Sequence, residues 1–292
     1  MAISERIAFV GGGNMAAALI QGLLATQTTQ PERVMASDVR EESLAVLRSR
    51  HGIETSSDNL RACAADIVVL SVKPQVFPAL LPELAPHLGE HALVISIAAG
   101  VPLRAIEALL PKARVVRAMP NTPALVSAGV TALALGSRAN AADAALATAI
   151  FESVGRVVHV SEELMDAVTA LSGSGPAYVF LMAEALIDAG IKLGLSPQVS
   201  ATLATQTLYG AAKLLTESDE SPEELRRRVT SPGGTTAAGI AALEARDFRG
   251  ALAACLEAAR DRGRELGLEA AAKLGAVEPE STGRREAGKN NI

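Results

Sequence analysis

The sequence contains no tryptophan, and it has five phenylalanines and two tyrosines in 292 residues. Base-stacking platforms for single-stranded nucleic acid need aromatic faces, so that class is excluded. Charge of one sign is also scarce. Lys and Arg number 27 against 32 Asp and Glu, a net charge of -5. Such mild acidity leaves no electrostatic footprint for nucleic acid. Cysteine is nearly absent: Cys63 and Cys255 stand far apart and form no C-x-x-C pair. That usage fits a reducing, cytoplasmic setting. Long apolar runs are missing too. Gly, Ser or charged residues interrupt each run before the roughly 18 residues of a membrane span, so no membrane segment is expected. The first strand starts by residue 7, which leaves no room before it for a signal peptide. What the chain does have is length and 49% hydrophobic residues, enough for a sizeable core in one or two domains.

The organising stretch is Ile7 to Ala16. Four apolar residues read as a buried strand. Gly11, Gly13 and Ala16 then fit G-x-G-x-x-G/A, and an apolar-periodic helix follows through Leu19, Ile20, Leu23 and Leu24. Gly11 permits a tight turn, Gly13 lets backbone approach a pyrophosphate, and Ala16 lets helix pack closely on strand. Strands and helices alternate from there to about residue 160. Further strands are expected at 33–37, 52–55, 66–72, 93–97 and 115–119, with weaker ones at 130–135 and 157–160. This alternation predicts an α/β fold with a doubly wound, mostly parallel sheet over residues 1–161. From 162 to 273 the periodicity is helical. That half is too apolar to stand fully solvated, so close helix packing and a subunit interface are expected. The polar, aperiodic tail 274–292 is expected to be disordered.

Open α/β sheets bind ligands beyond the carboxyl ends of their strands. The candidate cofactor residues there are Gly11, Gly13, Asn14, Met15 and Ala16; Ser37 and Arg40; Ser71, Val72, Lys73 and Pro74; Ala98, Ala99 and Gly100; and Asn121. The second strand decides the ribose end. Ser37 and Arg40 suit the 2′-phosphate of NADP, yet Asp38 between them suits the 2′-OH of NAD. Both orientations of Asp38 stay open at this point. His87 to His91 fits H-x-x-E-H but holds Gly89 beside Pro86, at a helix end, so no metal site is expected.

Two segments of the helical half are unusually rich in Gly, Ser and Thr. One is Leu171 to Ala177, with Ser174 and Gly175. The other is Thr230 to Thr236, with an apolar helix expected from about Ala237. Backbone N–H groups around Gly233 and Gly234, with hydroxyls of Ser231 and Thr236, would make an anion nest at a helix start, suited to a carboxylate.

On these motifs the sequence resembles pyrroline-5-carboxylate reductase. The resemblance spans about residues 5 to 270. It rests on Gly11–Ala16, Ser71–Gln75, Ser96–Gly100, Met119–Pro123, Asp166–Ala177 and Ser231–Thr236. It implies an N-terminal Rossmann domain and a C-terminal helical dimerisation domain, with interlocked homodimers and, in some members, a decamer. It implies reduction of 1-pyrroline-5-carboxylate to proline with NADPH or NADH. It places the substrate carboxylate on Ser231, Gly233, Gly234, Thr235 and Thr236, near Ser174 and Gly175, and gives Thr236 the ring nitrogen. Asp38 departs from the uncharged residue common in the family. Lys73 is the charged candidate near the nicotinamide, with loop ordering as its alternative role. A hydroxyacid dehydrogenase would instead use a helical lysine, with Lys192 or Lys213 as the candidates.

Overall fold

The computed structural model describes residues 1–275. The tail expected to be disordered lies outside that range apart from Leu274 and Gly275.

The first half runs β1 (Ile7–Val10), α1 (Asn14–Ala25), β2 (Val34–Ser37), α2 (Glu41–His51), β3 (Glu54–Ser56), β4 (Ile67–Leu70), α3 (Phe77–Leu84), β5 (Leu93–Ser96), α4 (Leu103–Leu109), β6 (Arg114–Met119), β7 (Gly129–Leu135), α5 (Ala141–Glu152) and β8 (Gly155–His159). One eight-stranded sheet has the order β3-β2-β1-β4-β5-β6-β7-β8. The chain switches direction across the sheet between β1 and β4, where doubly wound folds open a crevice.

Side chains alternate across the pleat, so two cores form. Ala8, Val10, Val68, Leu70 and Val94 meet α3 and α4 through Phe77, Leu81 and Ile106. Ile7, Phe9, Ile67, Val69 and Ile95 meet α1 and α5 through Leu19, Leu23 and Phe151. Burial on both faces explains the near-continuous apolar strands. β7 runs antiparallel to β6. Residues 120–128 are too few for the crossover of about a dozen residues that a parallel partner needs. β8 then pairs parallel with β7.

The second half is helical: α6 (Met165–Val168), α7 (Gly175–Lys192), α8 (Pro197–Glu217), α9 (Pro222–Arg228), α10 (Thr235–Glu244) and α11 (Phe248–Lys273). Ser196 caps α8 by accepting from the Val199 N–H, and Ser221 caps α9 through Glu224 N–H. The sequence reads Ser221 to Glu224 as a full capping box. The Glu224 carboxylate pairs with Arg227 instead. The end of α11 returns to the sheet, where Ala271 and Leu274 join the core beside α3.

The helical stretch Glu162–Lys192 is long and apolar enough to cross a membrane by length and composition alone. Gly and Ser interrupt its apolar run without ending the helix, which the sequence reading of broken runs did not foresee.

Candidate active site

Gly11 is the pivot of the nucleotide loop. Its φ of +102° belongs to the left-handed region, and an added Cβ would lie 2.8 Å from the Ser71 carbonyl. Only glycine fits there. Around Gly13, by contrast, a Cβ would meet nothing within 4 Å, so this side of the loop is open. Gly13 starts α1 without any side-chain cap. The first N–H groups of α1, at Asn14, Met15 and Ala16, therefore keep their donors for an anion. Ala16 is buried against the sheet. This open cradle fits the pyrophosphate of a dinucleotide.

At the end of β2 the geometry settles where Asp38 points. Its carboxylate is buried and accepts the Gly12 N–H at 2.8 Å. It also accepts the Arg40 N–H at 2.9 Å and pairs with the Arg40 guanidinium at 3.2 Å. Burial alone would raise its pKa, but the bonds from Arg40 and Gly12 outweigh that and hold it below the usual carboxylate value. Asp38 thus braces the glycine loop, and Arg40 spends its charge on Asp38. Ser37 is fully buried, and its Oγ has no hydrogen-bond partner among the described residues. It stays inside the strand, so the expected contact of Ser37 with a 2′-phosphate is not offered by this arrangement.

The other strand ends line up along the same edge. Ser71 Oγ donates to the Val10 carbonyl at 3.0 Å, tying β4 to β1. Val72 and Pro74 are half-buried, while Lys73 is exposed at the rim. Ala98 is buried and Ala99 exposed. Gly100, with φ +73°, meets α11 at Leu266 and Gly267. That segment is therefore partly roofed by the helical half. Asn121 behaves differently from the rest. Its Oδ1 accepts the Val130 N–H at 2.9 Å, and its Nδ2 donates to the Ser172 carbonyl at 3.1 Å. Both polar ends serve the protein.

Leu171 to Ala177 is not the connecting loop its composition implies. Residues Thr169–Gly173 form a π-helical turn leading without a break into α7. Ser174 and Gly175 sit where the turn meets the helix, and a Cβ at Gly175 would meet nothing within 4 Å. The second segment closes on Gly234, which starts α10 without a side-chain cap. Gly233 has φ +72°. The helix starts at Thr235 rather than near Ala237, so Thr235 and Thr236 belong to its first turn. Ser231, Gly233, Thr235 and Thr236 are exposed.

Arg117 and Glu162 join the two halves, and sequence reasoning missed them. Arg117 is buried on β6 and pairs with Glu162 at 2.7 Å. Glu162 also accepts the Leu103 N–H at 3.0 Å. An arginine inside a buried strand is itself the signal, since a buried charge demands a partner. Cys63 is buried, and burial pushes its thiol up to about 11, so it is inert at neutral pH. Both dehydrogenase-type lysines are exposed, and Lys213 pairs with Glu217 at 3.8 Å. His87 to His91 lies in the turns between α3 and β5. No group of three or more His, Cys, Asp or Glu able to hold a metal ion occurs among the described residues.

Comparison with known proteins matches the same two halves. Residues 162–266 match the family described as pyrroline-5-carboxylate reductase dimerisation. Residues 6–100 match that described as NADP oxidoreductase coenzyme F420-dependent. The pyrroline-5-carboxylate reductase of Pseudomonas aeruginosa is 46% identical over 266 residues, covering 90% of this chain and 97% of the relative. That of Synechocystis is 44% identical over 266 residues, covering 91% and 99%. Among solved structures, a pyrroline-5-carboxylate reductase from Coxiella burnetii superposes with a TM-score of 0.86 at 40% identity, covering 90% of this chain and 99% of that one. The Plasmodium falciparum pyrroline carboxylate reductase with NADP bound has a TM-score of 0.80 at 32% identity, covering 91% and 100%. With this identity running through both halves, the chain belongs to the pyrroline-5-carboxylate reductase family.

Proposed function

We infer that this chain reduces 1-pyrroline-5-carboxylate to proline with NAD(P)H, at a site shared between the nucleotide loop and the start of α10. One observation carries the reading. Two uncapped helix starts that begin on glycine, at Gly13 and Gly234, offer backbone donors to anions. Reduction of a protonated cyclic imine needs no more than that. Bound NAD(P)H supplies the hydride.

The chain's own residues then have three tasks. Gly11, Gly13 and the N–H groups of Asn14, Met15 and Ala16 hold the pyrophosphate. Ser71 to Pro74 and Ala98 to Gly100 shape the groove towards the nicotinamide. Lys73 stands at that end as the charged candidate for a catalytic part. Ser231, Gly233, Gly234 and Thr235 hold the substrate carboxylate through backbone donors and hydroxyls. Thr236 hydrogen-bonds the ring nitrogen and turns the imine carbon towards the hydride. Ser174 and Gly175 border the substrate at the start of α7. The carbon gains the hydride, and the C=N π pair stays on a nitrogen that enters protonated. No dedicated general acid is then required.

The dimerisation match supports a homodimer as the working form. The resemblance extends this to a decamer, and light scattering on purified protein reads the mass directly. Two unpaired cysteines fit a cytoplasmic setting. The test of the reaction is loss of nicotinamide absorbance with pyrroline-5-carboxylate. Turnover with the imine and none with hydroxyacids is expected. Binding of NADPH without any oxidation by the imine would sink the reading.

A further inference from the structure

The π-helical turn has an identifiable cause. In an α-helix the Ser172 carbonyl would accept from the N–H four residues on, but that residue is Pro176. Proline has no N–H, and its ring crowds the carbonyl four residues before it. The chain answers by widening: Ser174 N–H reaches back to the Thr169 carbonyl at 2.8 Å, a five-residue step. The Ser172 carbonyl is left without a helical partner. Asn121, just beyond the end of β6, supplies one at 3.1 Å while its other end holds Val130 N–H at 2.9 Å. Gly173 lies beside Met119, where an added Cβ would overlap the Met119 methyl. Ala170, in the same turn, is buried.

We propose that Asn121 is a positioning residue that ties the π-helical turn Thr169–Gly173 to the end of β6, and so fixes Ser174 and Gly175 relative to the nicotinamide edge. It takes the place of the backbone donor that Pro176 lacks. Only a short side chain with both a donor and an acceptor does this, which asparagine has and aspartate lacks. The proposal rests on the reductase reading for the reaction that reports it. Displacement of a substrate-bordering turn by about 1 Å costs on the order of a hundredfold in rate.

The test is Asn121→Asp, which keeps the acceptor for Val130 and loses the donor to Ser172. The parent enzyme, assayed alongside, establishes the reaction independently of the variant. NADPH affinity, read by fluorescence titration without substrate, should stay within about twofold, while the variant stays folded with a lowered melting temperature, since the Ser172 carbonyl loses its donor. The kcat/KM for pyrroline-5-carboxylate should fall about tenfold or more, as expected for a misplaced turn. In a Pro176→Ala background, residue 176 regains an N–H for the Ser172 carbonyl. The same substitution should there cost about threefold or less, a non-additivity that shows coupling. NADPH affinity falling as far as kcat/KM would make Asn121 a cofactor ligand and overturn the proposal. So would an unchanged kcat/KM, or an equal loss in both backgrounds. If Asn121→Asp does not fold, Asn121→Ala, which removes donor and acceptor together, is read by the same criteria.

Discussion

The two halves bury their apolar residues in different ways. In the sheet half, β1, β2, β4 and β5 are buried at every position. Helices cover both faces, and the cores close within one chain. In the helical half, no residue of α7, α9 or α10 is buried. Phe180, Leu181 and Leu193 stand largely exposed. A cavity of about 580 Å³ opens among Pro176, Tyr178, Phe180, Met182, Leu252 and Leu256. Apolar surface of this extent is stable only when something covers it. The match of this half to a dimerisation family names the cover as a second chain. The lesson is that one half folds for itself and the other folds for a partner.

The largest expected effect breaks the half that lacks its own core. Phe180→Asp places a charge in the apolar face, where an uncompensated buried charge costs about 3–5 kcal/mol. Sedimentation should show monomer in place of dimer, and reductase activity should collapse with it. A fragment ending at Ser161 should likewise be monomeric and inactive; an active monomeric fragment would show that the site needs nothing from the helices.

Next in size is Thr236→Ala. Losing a neutral hydrogen bond costs roughly 0.5–1.5 kcal/mol. Steady-state kinetics should show kcat/KM for the imine about tenfold lower, with NADPH affinity unchanged. Thr236→Ser should keep most activity. If the Ala variant loses NADPH affinity instead, the loop belongs at the other end of the site.

The smallest effects concern the self-contained half. Asp38→Asn removes a negative charge beside the ribose end and releases Arg40, so the ratio of NADPH to NADH affinity should rise. Arg40→Ala should weaken NADPH slightly more than NADH if the guanidinium leaves Asp38 for the phosphate, and less than Thr236→Ala lowers turnover. Equal changes for both cofactors would place the pair outside the pocket. The pH dependence has a definite sign. The folded pKa of Asp38 is lowered, so its ionised form stabilises the fold above the unfolded carboxylate value. That contribution is lost as pH falls through the folded value. The gap in melting temperature between parent and Asp38→Asn should therefore be widest near neutrality and should close in acid.

The same contrast explains what the sequence could reveal. Strands buried on both faces read as apolar runs such as Ile67–Leu70, and Gly11 announces its turn because no other residue fits. The direction of β7 was not legible, because hydropathy carries no sign of strand polarity. Nor was the π-helical turn, since the N–H missing at Pro176 is met by an asparagine 51 residues from the Ser172 carbonyl it serves. Asp38 was legible as present but not as oriented; that depended on the Gly12 N–H. In the helical half, Ser196-Pro197 and Ser221-Pro222 mark helix starts in the local sequence, a serine cap followed by proline at the first position. The completion of the Ser231 to Thr236 segment was not legible, because exposed loops record nothing of what they meet.

We propose that in the dimer the segment at α10 completes a site whose nucleotide loop belongs to the partner chain, because Thr235 and Thr236 stand exposed within one chain and their half carries the dimerisation match. Mixing Thr236→Ala chains with Gly13→Asp chains tests it most directly, once subunit exchange is shown by mass. Each hybrid dimer then holds one site with an intact Gly13 and an intact Thr236. The account predicts that mixing restores about one quarter of parental activity, as random pairing of two chains with two equivalent sites requires. No gain over the separate variants, with exchange demonstrated, would contradict it and assign the whole site to a single chain.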